Sequence, residues 1–196
     1  MSTGFAPTLK LLNTSTMVEM PVLGLGTWKL TDQRAISELI PKAILELGYR
    51  HIDTAAVYEN ETLIGNVWSE VFSKVPRKEI FVTSKLWCTQ HDQVREACES
   101  SLKRLKLDYL DCYLIHWPFA FQAKPGEPLN SIRDSKNHPL LNKSVTLEDT
   151  WREMEKLVKD GLVRSIGVSN FNIARLKRIL SIAAIKPAIN QVRNVF

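Results

Sequence analysis

The sequence predicts an α/β fold in which parallel strands are joined by right-handed crossovers. Three observations point there. Short apolar runs alternate with helical 3/4 spacing at a repeat of roughly thirty residues. The runs, such as "EIFVTSKLW" and "YLDCYLIHW", are apolar on both faces, as strands covered on both sides must be. Three ionisable residues, Asp53, Lys85 and His116, close three successive runs, spaced 32 and 31 residues apart.

The elements follow in order. "LKLLNTSTMVEMPVL" reads as a hairpin turned around Asn13 to Ser15, and "LGLGTW" (23–28) as a short apolar run. A helix then places Ile36, Leu39, Ile40, Ala43, Ile44 and Leu47 inward and stops at Gly48. Pro41 falls inside it and should kink it or begin its regular part, because proline cannot donate the interior hydrogen bond. "YRHIDTA" is the next strand. "ETLIGNVWSEVF" reads as one helix with Ile64, Val67, Trp68, Val71 and Phe72 on its inner face. "EIFVTSKLW" is a strand, and "DQVREACESSLKRL" a helix with Val94, Ala97, Cys98, Leu102 and Leu105 inward. "YLDCYLIHW" is a strand, and "TLEDTWREMEKLVKDG" a helix opened by a capping box from Thr146 to Asp149 and closed by Gly161. "LVRSIGVSN", a helix capped by Asn172 and "PAINQV" complete the pattern. Phe119 to Ser144, rich in Pro, Asn and Lys, reads as the one long irregular stretch, of a length that is usually functional or disordered.

The chain has 196 residues, 44% of them apolar and 24% charged, which fits a single domain over residues 1–196. No apolar run is long enough to span a membrane, and "MSTGFAPTLK" lacks the basic and apolar regions of a secretory signal. Cys88, Cys98 and Cys112 have no metal spacing, so free thiols in a reducing, cytoplasmic setting are expected. Matches to Asn-x-Ser/Thr at Asn13, Asn60 and Asn142 are then formal only. The net charge of +5 comes from basic stretches such as "LKRLK" and "ARLKR", which read as solvated helix faces. No nucleic-acid motif accompanies them.

Asp53, Lys85 and His116 end strands one repeat apart, so a parallel barrel sets them side by side around one mouth. Tyr58 follows Asp53 on its loop, Ser169 and Asn170 end a further strand, and Gln191 ends the last. Taken singly, a strand-end Asp is a turn former and a strand-end His a hydrogen-bonded core residue. A buried Lys is rarer, and the set in register points to chemistry. A phenol has an ordinary pKa of about 10, too high for efficient proton donation at neutral pH. The Lys85 ammonium is expected to lower it, Asp53 to hold Lys85, and a neutral His116 to orient a carbonyl oxygen. The set provides no hydride, so a reducing cofactor must supply one. "GLGTWK" has Lys29 where a dinucleotide loop needs its third glycine, and no GxSxG or HExxH pattern occurs.

These residues resemble the aldo-keto reductase family, its aldehyde and aldose reductase branch. "GYRHIDTAAVYENETLIG" (48–65), "GLVRSIGVSNF" (161–171), "VTSKLW", "LIHWP", "LGLGTW" and "NQV" carry the resemblance, from Leu9 to Val192. It implies a TIM-type (β/α)8 barrel plugged by the N-terminal hairpin, with NADPH lying across its mouth. Tyr58 would be the general acid, tuned by Lys85 and Asp53, and His116 would orient a small-molecule carbonyl substrate. Ser169, Asn170 and Gln191 would hold the nicotinamide carboxamide, with Thr27, Trp28 and Asp53 beside the cofactor. Trp28, Val57, Trp87, His116, Trp117 and Phe119 would line the substrate pocket, with neither nucleic acid nor membrane as partner.

The resemblance breaks at "RNVF", where the family continues with an acidic residue and His-Pro. Only six strand-helix units are expected, an incomplete barrel. The strands, stacking tyrosine and 2′-phosphate-binding signature that complete the family pattern are expected to be missing. The alternative reading is a catalytically silent chain that associates with another protein through an open edge. Family members are often monomers, whereas this chain is expected to self-associate.

Overall fold

The structure is a computed structural model that describes residues 7–11 and 18–192. A hairpin comes first: β1 (Thr8–Leu11) pairs antiparallel with β2 (Val18–Pro21), Leu9 opposite Met20. The turn expected at Asn13 to Ser15 lies outside the described residues. There follow β3 (Leu25–Gly26), α1 (Gln33–Leu45), β4 (His51–Asp53), α2 (Glu61–Gly65), α3 (Trp68–Phe72), β5 (Phe81–Leu86), α4 (Val94–Leu105) and β6 (Cys112–Ile115). A small hairpin of β7 (Ala123–Lys124) and β8 (Glu127–Ser131) precedes α5 (Leu147–Lys159), β9 (Ile166–Ser169), α6 (Ile173–Leu180) and β10 (Asn190–Gln191). Six strands form one parallel sheet in the order β10-β9-β6-β5-β4-β3.

Strand alternation divides the sheet into two faces. Ile52, Val82, Leu86, Tyr113, Ile115, Ile166 and Val168 face the helices and join the main apolar core. Phe81, Cys112 and Leu114 point the other way and pack with Leu11 and Val18, so the hairpin plugs the end where the strands begin. The sheet is curled. Asp53 on β4 and Gln191 on β10 lie four strand spacings apart, roughly 19 Å in a flat sheet, yet their side chains hydrogen-bond at 2.9 Å.

Helix starts follow the capping rules. Asp32 Oδ1 accepts from Ala35 N at 2.7 Å, Asn172 Oδ1 accepts from Arg175 N at 2.9 Å, and Thr146 with Asp149 forms the expected capping box. Gly48 and Gly161 follow α1 and α5 with positive φ, as anticipated. On α5, Trp151, Met154 and Leu157 are fully buried, each contributing about 1.5–3 kcal/mol by removal from water.

Three local expectations need correction. Helix α1 already begins at Gln33 and continues past Pro41, so Pro41 does not begin its regular part, and Leu39 and Leu47 are exposed, at 37% and 64%. Residues 61–72 are not one helix: Asn66 and Val67 separate α2 from α3, although Ile64, Val67, Trp68 and Val71 all reach the core. Residues 119–144 are not irregular throughout. The β7–β8 hairpin turns at Gly126, and bridges join Phe121 to Leu141 and Arg133 to Pro139.

Candidate active site

The residues that end the strands face the concave side because they share one parity. Asp53 lies two beyond His51, Lys85 two beyond Thr83, and His116 two beyond Leu114. The strand register aligns Gly26 with Asp53, Asp53 with Thr83, Lys85 with Leu114, and Ser169 with Gln191. A cleft of about 430 Å³ opens at this end, lined by Trp28, Val57, Tyr58, Trp87, His116, Trp117, Ser169, Asn170, Gln191 and Val192.

Lys85 is a fully enclosed charge, only 1% exposed. Its Nζ donates to Asp53 Oδ1 at 2.6 Å and to the Thr54 carbonyl at 2.9 Å. A buried ammonium needs such partners, since desolvation without them would be prohibitive. The same Nζ lies 5.3 Å from the centroid of the Tyr58 ring. The Tyr58 and His116 rings meet edge-on with centroids 5.8 Å apart, and Trp87 meets His116 in the same way at 5.3 Å. Both ionisable rings therefore open into one space.

Electrostatics corrects the expectation for Tyr58. Burial and the Asp53 charge push its phenol up to about 12, not down. The Lys85 ammonium is held against Asp53, so the phenol meets the carboxylate's field as well. Tyr58 therefore stays a protonated donor at neutral pH and beyond. Burial, reinforced by Lys85 and opposed by Asp53, brings His116 down to about 4. The imidazole is neutral at pH 7 and has one N–H to offer. Its Nδ1 is enclosed with no partner among the described residues, which leaves Nε2 for the cleft.

The amide side of the cleft is ordered from within. Ser169 Oγ donates to the Gln191 carbonyl at 2.7 Å, and Asn170 Nδ2 donates to the His116 carbonyl at 2.9 Å and to Ser169 Oγ at 3.0 Å. Gln191 Nε2 donates to Asp53 Oδ2 at 2.9 Å, so both Asp53 carboxylate oxygens are engaged. Asn170 holds φ 61, a left-handed conformation that asparagine tolerates better than most residues.

Of the anticipated residues, Trp28, Val57, Tyr58, Trp87, His116, Trp117, Ser169, Asn170 and Gln191 line the cleft, with Asp53 and Lys85 directly behind Tyr58. Two are placed differently. Thr27 is fully buried, its hydroxyl donating to the Asp53 carbonyl at 3.0 Å, so it supports the rim without reaching the cleft. Phe119 does not line the cleft. It stacks parallel to Phe121, with the Arg175 guanidinium 4.7 Å from its centroid. Sequence reasoning missed Thr54, Asn60, Glu61 and Ser84, which are buried polar residues beside the site. Cys88, Cys98 and Cys112 are free and buried. Among the described residues no cluster could hold a metal ion, and no helix is long and apolar enough to cross a membrane.

A second cleft, about 370 Å³, lies beside the hairpin at the other end of the sheet. Its Asp111 is already bound by Arg164 at 3.1 Å and Arg77 at 2.8 Å, and no strand-end proton donor opens to it.

Comparison with known proteins agrees with this geometry. The model of the Aldo/keto reductase family matches residues 22–195. Aldose reductase B of Dictyostelium discoideum is 49% identical over 179 residues, covering 88% of this chain and 57% of that protein. Aldo-keto reductase family 1 member A1 of Bos taurus is 44% identical over 183 residues, covering 89% and 53%. The solved aldose reductase from Schistosoma japonicum superposes with a TM-score of 0.82 at 43% identity, covering 95% of this chain and 61% of that one. The chain thus spans about half the length of the curated relatives it matches. The curled parallel sheet with outer helices is an incomplete (β/α)8 barrel, of which six strands are described.

Proposed function

The chain belongs to the aldo/keto reductase family, an oxidoreductase family, and on that premise we propose that its cleft reduces aldehydes and ketones to alcohols with NADPH as cofactor. One observation carries the reading. Two neutral donors, the Tyr58 phenol and the His116 imidazole, converge on one cleft in front of a buried ammonium–carboxylate pair. A carbonyl oxygen placed between them gains negative charge during reduction, and donors preorganised around such a charge stabilise it.

The residues present fit the nicotinamide end of the cofactor. Ser169, Asn170 and Gln191 bring hydroxyl and amide groups to the cleft wall, the donor and acceptor set that a carboxamide needs. When bound, the cofactor supplies the hydride. The protein's own steps are orientation and proton delivery. His116 Nε2 directs the carbonyl oxygen, and Tyr58 gives that oxygen its phenolic proton. Lys85 compensates the phenolate left behind, which lets a phenol with a high resting pKa act as the acid. Trp28, Trp87 and Trp117 shape an apolar site that favours carbonyl compounds and excludes water. The buried free thiols support a reducing compartment such as the cytoplasm.

The test is a chimera that continues this chain with the C-terminal remainder of the Dictyostelium relative. It should reduce a simple aldehyde with NADPH. Tyr58→Phe should lower kcat/KM by about 10²–10⁴-fold, with NADPH binding, followed by fluorescence, retained. A chimera that folds and binds NADPH yet reduces nothing, or a Tyr58→Phe variant within about tenfold of wild type, overturns the reading.

A further inference from the structure

The donor in the cleft must be held in place, and the chain after Tyr58 shows how. Asn60 is fully buried, and its amide makes three hydrogen bonds, to both ends of the Thr27–Leu30 turn and to Thr54 just after β4. Nδ2 donates to the Thr27 carbonyl at 2.8 Å and to the Leu30 carbonyl at 2.9 Å, while Oδ1 accepts from Thr54 Oγ1 at 2.9 Å. The amide can sit only one way round, because two carbonyl oxygens face the nitrogen and neither could meet an oxygen instead. Trp28 lies within the Thr27–Leu30 turn that Asn60 bridges, and Tyr58 lies two residues before Asn60. The residues after these two aromatics, Lys29 and Glu59, both hold left-handed backbone, at φ 68 and φ 56. Side chains with a Cβ disfavour that conformation, so both turns need an outside clamp.

The next residue completes the clamp. The Glu61 carboxylate, 1% exposed, accepts from Ser84 Oγ at 2.6 Å and from Arg104 Nε at 2.8 Å. Ser84 adjoins Lys85 on β5 and points to the opposite face. Asn60 thus ties the Tyr58 loop to the Trp28 turn, and Glu61 ties it to the strand carrying Lys85.

We propose that Asn60 is a positioning residue that, together with Glu61, sets Tyr58 against Lys85 and Trp28. The proposal rests on the reading of the cleft given above. The Asn-x-Thr match at this residue is then a by-product: the amide nitrogen is enclosed and already donates two hydrogen bonds.

Three variants of the full chain test it: Asn60→Ala, Thr54→Val and, as a control of buried bulk, Leu157→Ala on α5. Cross-peaks between the Tyr58 and His116 rings, read by NMR on the chain itself, should weaken in Asn60→Ala and persist in Leu157→Ala. With the same substitutions placed in the chimera, and an aldehyde and NADPH as probes, Asn60→Ala should lower kcat by about 10²-fold at nearly unchanged KM, the size expected for a displaced reacting group. Thr54→Val keeps shape and removes one of the three bonds, so it should lower kcat by about tenfold. Leu157→Ala should leave both kinetic constants alone while lowering stability. If the chimera turns over no aldehyde, the reading of the cleft fails and the ring cross-peaks decide this proposal alone. If Asn60→Ala does not fold, Thr54→Val decides it. Unchanged ring contacts in the folded variants, or a loss no greater than that of Leu157→Ala, overturns the proposal.

Discussion

Asp53 occupies the centre of the cleft's electrostatics. Its backbone carbonyl receives both the amide and the hydroxyl of Thr27, and its two carboxylate oxygens take Lys85 and Gln191. Its charge is also one of the two causes that raise the Tyr58 phenol. Asp53→Asn should therefore bring the Tyr58 pKa below about 12, because the opposing charge goes and the Lys85 ammonium stays. Lys85→Met should act in the other direction, leaving the carboxylate unopposed near the ring. Alkaline spectrophotometric titration, with Tyr58→Phe as the difference reference, reads both shifts. A Tyr58 titration that ignores Asp53→Asn would refute the assignment. The grouping of Asp53, Tyr58, Lys85 and His116 was legible in the sequence because parity and repeat length are linear properties of a strand. The direction of the phenol shift was not, since it depends first on how deeply Tyr58 is buried and then on the Asp53 charge beside it. Both are set by the folded geometry alone.

Helices met their expected caps where Thr146 and Asn172 stand, since a cap is decided within four residues. Elements whose form depends on distant neighbours were harder to read. The 61–72 segment has helical spacing throughout, yet α2 and α3 part at Asn66, whose side chain bonds Gln33 at 3.1 Å and Lys106 at 2.8 Å. Gly65 shows the tertiary demand most directly. A Cβ there would lie 2.3 Å from the Arg104 carbonyl oxygen, so α2 approaches the backbone of α4 as only glycine permits. That approach is what brings Arg104 to Glu61 at 2.7 Å. Gly65→Ala must push α2 off α4 and is expected to cost about 1–3 kcal/mol, as overpacking does. Urea unfolding measures it: the midpoint should fall with little change in slope. The companion change Arg104→Met should then cost less in the Gly65→Ala background than alone, because the ion pair is already disturbed. Additive losses would show that the close approach and the ion pair are independent.

At the scale of the whole molecule the curl of the sheet brings Asp53 to Gln191, but β3 and β10 have no mutual pairing among the described residues. Ile173 and Leu180 on the last helix are 75% and 41% exposed. We propose that the 196-residue chain self-associates when expressed alone, because unpaired strand edges and apolar patches recruit partners; light scattering behind size exclusion should show mass rising with concentration, and a constant monomer mass would refute it. Acid sensitivity is the other property that belongs to the whole fold. His51, His91 and His116 all titrate below the ordinary histidine value, burial being the largest cause in each, and His91 and His116 fall to about 4. Each is held neutral in the fold and protonates freely, near pH 6.5, once unfolded. Below that value the unfolded state binds more protons, so stability is intact above about pH 6.5 and is lost as pH falls towards 4. His91 is the cleanest probe. It is 2% exposed, is not itself a lining residue of the cleft, and its Nδ1 shares a 3.2 Å contact with Thr150 Oγ1. Between pH 7 and pH 5 it alone should cost about 2 kcal/mol. That window lies above the ordinary values of the ion-paired Glu148 and Asp149, whose carboxyls are held lower still and titrate later. His91→Asn has no group to protonate there. It should start less stable at pH 7, having lost the ring's packing, yet lose about 2 kcal/mol less on acidification, as read from urea midpoints at the two pH values. Parallel losses in the two proteins would mean that His91 is not the group that titrates.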